Sequence, residues 1–169
     1  MTIVLFAQPY DIAATGFYFE TAEQYDEHAA KALNDYGQPV EEFEIQFIDG
    51  ERIDCELAKA WQLHQGNFGG YLTAAGDWEE DRKRLYIIAV GECGYSHEEV
   101  AGDPDFDGVE ILPYTNLESY AEQLVADGVF GDIPESFRKY IDYWHIATDL
   151  ALEYGSTTIA GEVVHYAHR

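Results

Sequence analysis

Positive charge is scarce in this chain. Nine Lys and Arg stand against thirty-three Asp and Glu in 169 residues, a formal net charge of −24. Such a field repels phosphate backbones and anionic lipid, so direct binding to nucleic acid or to a membrane surface is excluded as the expected activity. Cysteine is almost absent: Cys55 and Cys93 lie far apart, form no C-x-x-C pair, and are expected to be buried, reduced thiols. Long apolar runs are missing too. The amino-terminal stretch offers only Ile3 to Ala7, with no basic residue before it and Pro9 soon after, and so reads as neither a signal peptide nor a membrane span. No G-x-x-x-x-G-K-[ST] phosphate loop occurs, because the glycine cluster Gly66 to Gly70 has no lysine behind it.

Apolar content, by contrast, is ample. Hydrophobic residues make up 47% and aromatics 15%, which rules out the low-hydrophobicity composition of a disordered chain. The protein is therefore a folded chain with an acidic surface, whose natural counterparts are basic partners or cations. That charge is distributed along the whole length: −10 over residues 1–60, −8 over 61–113 and −6 over 114–169. An acidic tail would be concentrated at one end.

The same three segments are expected as modules of an α+β fold. In residues 1–60, strands at 2–7 and 16–19 precede a helix over 22–36, opened by a capping box of Thr21 and Gln24, and a strand over 43–48 ends at Asp49-Gly50. Residues 61–113 read as mainly helical, continuing the helix "CELAKAWQLH" past a break at Gly66 to Gly70, with Asp77 as the next cap. "LYIIAV" at 85–90 fits a helix or a strand equally well. Ser96 with Glu99 and Thr115 with Glu118 are two further capping boxes. In residues 114–169, a helix closes at Gly128, Pro134 sits at a first helical position, Asp142 caps the helix after it, and a hairpin turns at Gly161.

Candidate chemistry is thin. Asp103-Pro104-Asp105-Phe106-Asp107-Gly108 opens like a calcium loop, but the twelfth position, which needs a bidentate acid, is Tyr114. His145 lies between Asp142 and Asp149 at helical spacing, as a surface charge pair does. Glu162, His165 and His168 in a strand cannot converge on one zinc, and the neighbours Ser96 and His97 form no nucleophile pair by adjacency alone. No catalytic site and no cofactor or metal requirement is visible. A salt-adapted acidic enzyme and a calcium-dependent binding module are the alternatives that composition leaves open.

The stretch "IPESFRKYIDYWHIATDL", residues 133–150, carries the most specific pattern: Ile133-Pro134-Glu135, Tyr140-Ile141-Asp142-Tyr143, and Ala147-Thr148-Asp149-Leu150 closing the helix. It resembles the carboxy-terminal segment of the ArdA-type antirestriction proteins. "LESYAEQL" at 117–124 is similar to a helix of that family, and "GFYFETAEQYDEHAAKAL" with "EEFEIQFID" is similar to its amino-terminal strand–helix–strand. Together these cover most of 16–48 and 115–169. The resemblance implies a cytoplasmic, elongated, three-module homodimer and no enzymatic activity. It also implies that carboxylates imitate the phosphates of B-form DNA and so occupy the DNA-binding groove of a type I restriction–modification enzyme, on its methyltransferase core. On that reading the acidic run Glu92, Glu98, Glu99, Asp103, Asp105, Asp107 and Glu110 is counterfeit backbone. Glu79, Glu80, Asp81, Glu118, Glu122, Glu23, Asp26 and Glu27 are the further candidates for partner contact.

Overall fold

A computed structural model describes residues 2–169, which form eight helices and two three-stranded antiparallel sheets in an α+β arrangement. The chain divides into two compact units, Met1–Gly102 and Asp103–Arg169.

In the first unit, strands β1 (Val4–Pro9), β2 (Phe17–Phe19) and β3 (Phe43–Asp49) pair in the order β2-β1-β3. Leu5, Ala7 and Pro9 alternate inward along β1, opposite Phe19 on one side and Phe47 and Ile45 on the other. Inward residues at period two put one apolar face against the helices. Helix α1 (Ala22–Ala29) adds Tyr25 to that face, where Phe17, Phe19, Phe43 and Phe68 meet it as tilted or edge-on rings, 4.6 to 6.1 Å between centroids. Thr21 caps α1 by accepting from the Gln24 N–H, while the Gln24 side chain reaches back to the Glu20 N–H.

The helix expected over 22–36 stops at Ala29. Asn34 competes for the backbone: its Oδ1 accepts from the N–H groups of Tyr36 and Gln38, and its Nδ2 donates to Asp11. Local side-chain bonds of this kind offer the chain an alternative to another helical turn.

Four helices complete the unit: α2 (Arg52–Ala60), α3 (Phe68–Asp77), α4 (Glu80–Gly91) and α5 (His97–Ala101). Gly69 and Gly70 lie inside α3, so the expected glycine break is confined to the turn before it. Asp77 ends α3 rather than capping the next helix. The extended backbone of Trp78 separates the two, and Glu79 is the residue that precedes α4. The ambiguous run 85–90 is helical. Its consecutive residues Tyr86, Ile87, Ile88 and Ala89 are all buried, so no polar face survives to mark a 3.6-residue period. The Ser96–Glu99 capping box is present in both directions.

The second unit pairs β4 (Val109–Ile111), β6 (Glu162–His168) and β5 (Gly155–Ile159) in the order β4-β6-β5. Strand β4 was not expected; three residues with a single fully buried side chain, Val109, carry too little pattern. The β5–β6 hairpin turns on Ala160 and Gly161, both at positive φ (54° and 91°), as a two-residue primed turn requires. Helix α6 (Leu117–Ala126) is capped by Asn116, which accepts from the Glu118 N–H, in place of the expected Thr115. Pro134 stands just outside the short α7 (Glu135–Arg138), one residue earlier than expected. Asp142 caps α8 (Tyr143–Glu153) by accepting from the His145 N–H.

Candidate partner-binding surface

The acidic residues lie outside the core almost without exception. Asp54 is buried, Asp11 and Glu56 are half-buried, and the other thirty of the thirty-three are exposed. Every one of the fifteen candidate carboxylates is in the exposed class.

In the first unit, Glu23, Asp26 and Glu27 stand on α1 away from the buried Tyr25. Glu79, Glu80 and Asp81 gather at the start of α4, Glu92 lies at its end, and Glu98 and Glu99 occupy the first turn of α5. Carboxylates at a helix amino terminus are favoured by the unpaired N–H groups there. Two of them are held firmly charged: the backbone N–H of Ser96 and then its hydroxyl lower the pKa of Glu99, and the backbone N–H of Glu23 and the Thr21 hydroxyl lower that of Glu23.

In the second unit, Asp103, Asp105 and Asp107 lie in the loop before β4, where Asp103 Oδ1 accepts from the Asp105 N–H. Glu110 is on β4 and pairs with Arg169, while Glu118 and Glu122 lie four residues apart on α6. Glu23 with Glu27 repeats that spacing. Like charges at i,i+4 oppose the helix by a few tenths of a kcal/mol. A surface that keeps such pairs gains when a basic partner supplies the missing countercharge. The acidic run 92–110 is thus divided, with Glu92, Glu98 and Glu99 in one unit and Asp103, Asp105, Asp107 and Glu110 in the other.

The few cations are mostly committed internally. Lys83 is buried against Asp54, Arg82 lies over the Trp78 ring and donates to the Val100 carbonyl, and Arg84 pairs with Glu80. The basic trio 82–84 is therefore structural. Among the described residues, no group of three or more His, Cys, Asp or Glu is placed to hold a metal ion, and no helix is long and apolar enough to cross a membrane. Cys55 and Cys93 are free thiols but half-buried rather than buried; burial and the neighbouring Glu92 push the Cys93 thiol up. Sequence reasoning overlooked Glu41, Glu42 and Glu44, which are equally exposed around the start of β3.

The sequence model of the family described as ArdA, antirestriction protein, matches residues 10–165. The chain belongs to the ArdA family. No curated protein matches it. The match runs through residues 61–113, where the motif resemblance had been silent, and so joins the two segments that carried it. ArdA membership makes the function antirestriction. Proteins of this family are inhibitors rather than enzymes, and the partners it implies are restriction enzymes.

Proposed function

We propose that this ArdA protein blocks a type I restriction–modification enzyme by lying in the DNA-binding groove of its methyltransferase core, with surface carboxylates in place of DNA phosphates. The observation that carries the reading is the exposure of thirty carboxylates on a folded scaffold. Duplex DNA carries about one charge per 1.7 Å, so a net charge of −24 equals roughly 40 Å of duplex, about 12 base pairs. The fifteen candidate carboxylates act collectively, distributed over the expected modules 1–60, 61–113 and 114–169. The protein works in the cytoplasm, binds no nucleic acid itself and needs no cofactor.

A homodimer doubles the span to suit a bipartite site, and we place its contact in the carboxy-terminal module. Two observations support this. That module is the least acidic, so like charges meet there at least cost. Helices α7 and α8 bury no residue in the chain, and Phe137, Tyr140, Trp144 and Leu152 are 63, 74, 62 and 86% exposed. Scattered apolar residues on a surface are ordinary, but three large ones on two helices, with Tyr140 in the turn between them, suit an interface.

Titration into type I cleavage assays tests the reading. Cleavage should stop near molar equivalence at low salt, and an enzyme panel that keeps cutting at excess inhibitor refutes it. Sedimentation at micromolar concentration should find a dimer; a monomer at every concentration removes that part.

A further inference from the structure

One cavity of the first unit has a lining that the phosphate-mimic reading leaves unused. It encloses about 540 Å³ between the end of α2, α4 and the segment leading into α5. Its walls include five rings: Trp61, His64, Tyr86, Tyr95 and His97. Trp61 and Tyr86 are buried, with centroids 5.0 Å apart, and back the cavity without Tyr86 offering any accessible surface of its own. His97 stands edge-on to Trp61 at 4.5 Å, and its Nδ1 lies 2.8 Å from the Tyr86 hydroxyl. His64 and His97 are exposed and Tyr95 is half-buried, so these three rings carry the accessible aromatic surface of the cavity.

The walls are fixed in place before anything binds. The Ser96–Glu99 capping box sets His97 at the first position of α5. Asn67 Nδ2 donates to the carbonyls of both Trp61 and Gln62 at 3.2 Å, and Gln62 on the rim holds φ at 52°. Gln62 closes α2 in a left-handed helix ending, its N–H donating to the Lys59 carbonyl and the Leu63 N–H to the Ala58 carbonyl, so the rim is held by the helix terminus itself.

Charge decides what such a cavity accepts. No Lys or Arg is among its lining residues, and the segment that supplies Gly94 to His97 is flanked by the exposed Glu92, Glu98 and Glu99. Aromatic faces in a negative field attract a cation. Between the two common side-chain cations, a guanidinium is planar, weakly hydrated and able to stack on rings, whereas an ammonium keeps its water. A DNA-binding groove presents such groups. We propose that this aromatic cavity receives one arginine side chain of the bound restriction enzyme, an inference that rests on the groove-occupying reading above. The carboxylates then supply long-range attraction, and the cavity supplies a buried anchor at one position, as interface hot spots do.

The test has two arms on the full-length protein. In the first, methylguanidinium and its neutral isostere N-methylurea are titrated while the Trp61 indole and His97 ring resonances are followed. Methylguanidinium should shift them saturably and N-methylurea should not. In the second arm, affinity for a type I methyltransferase core is measured for Tyr95→Ala and for the ring-retaining Tyr95→Phe, each checked for folding. Tyr95→Ala should abolish the methylguanidinium response and weaken enzyme binding about tenfold, and Tyr95→Phe should keep both within about twofold. Equal response to the two probes, no response to either, or unchanged enzyme affinity in a folded Tyr95→Ala overturns the proposal. Saturation by methylguanidinium in a protein that fails to bind the enzyme at low salt refutes the groove-occupying reading and the enzyme as donor, while supporting the guanidinium site.

Discussion

Replacing Lys83 by Met should cost this protein more than any surface change. The Lys83 ammonium donates to Asp54 Oδ1 at 2.7 Å with both side chains over nine-tenths buried, and the Asp54 carbonyl accepts from the Tyr71 hydroxyl at 2.9 Å. Removing one member of a buried pair leaves the other charge uncompensated, a loss of about 3–5 kcal/mol. A polar cavity of about 380 Å³, lined by Glu20 and Glu51 as well as the pair, lets water reach the orphaned carboxylate. The expected cost therefore sits at the lower end, about 3 kcal/mol. Urea unfolding followed through Trp61 and Trp78, both in the first unit, measures it directly. The double replacement Asp54→Leu with Lys83→Met should recover much of the loss, because no charge is then left buried. A Lys83→Met cost below about 1 kcal/mol, the range of exposed pairs, would refute the claim that the basic trio is structural.

Three further outcomes follow from local geometry. Asn116→Ala should lower stability by about 1 kcal/mol through loss of the α6 cap, read from thermal or urea unfolding. Ala160→Gly should raise it by about 1 kcal/mol, since the turn holds Ala160 at φ 54° and glycine bears no penalty there. Glu99 has a folded pKa below its ordinary 4.5, so its contribution is present above that value and is lost as pH falls through the folded pKa. The stability gap between the native protein and Glu99→Ala should accordingly be constant near neutrality and close as acidification passes below the ordinary carboxylate value of 4.5 and through the lower folded pKa.

How legible these features were depended on how local their cause is. The Ser96–Glu99 box, the Asp142 cap and the Gly161 hairpin are decided within a few residues, and each appears where its pattern placed it. Helix α1 ended early because Asn34 bonds across to Asp11, 23 residues away in sequence, which no periodicity reveals. Strand β4 exists through its pairing with β6, more than fifty residues later. Lys83 read as part of a basic cluster only because its partner Asp54 lies 29 residues upstream. The acidic surface was legible as composition, since thirty-three carboxylates cannot be buried. The aromatic cavity was not, because its rings come from three separate stretches between Trp61 and His97.

The central claim is that many carboxylates act together as counterfeit phosphates. The most direct measurement compares the affinity for a type I methyltransferase core, across salt concentrations, of Asp103→Asn, Asp105→Asn and Asp107→Asn singly with that of one variant neutralising Glu92, Glu98, Glu99, Asp103, Asp105, Asp107 and Glu110 together. Each single change should alter binding by no more than a few-fold, since one exposed contact is worth about 1 kcal/mol or less. The combined variant should bind far more weakly and with a flatter salt dependence, because fewer ions are displaced from the enzyme. A single substitution that abolishes binding in a folded protein, or a combined variant that binds as the native protein does, contradicts the account.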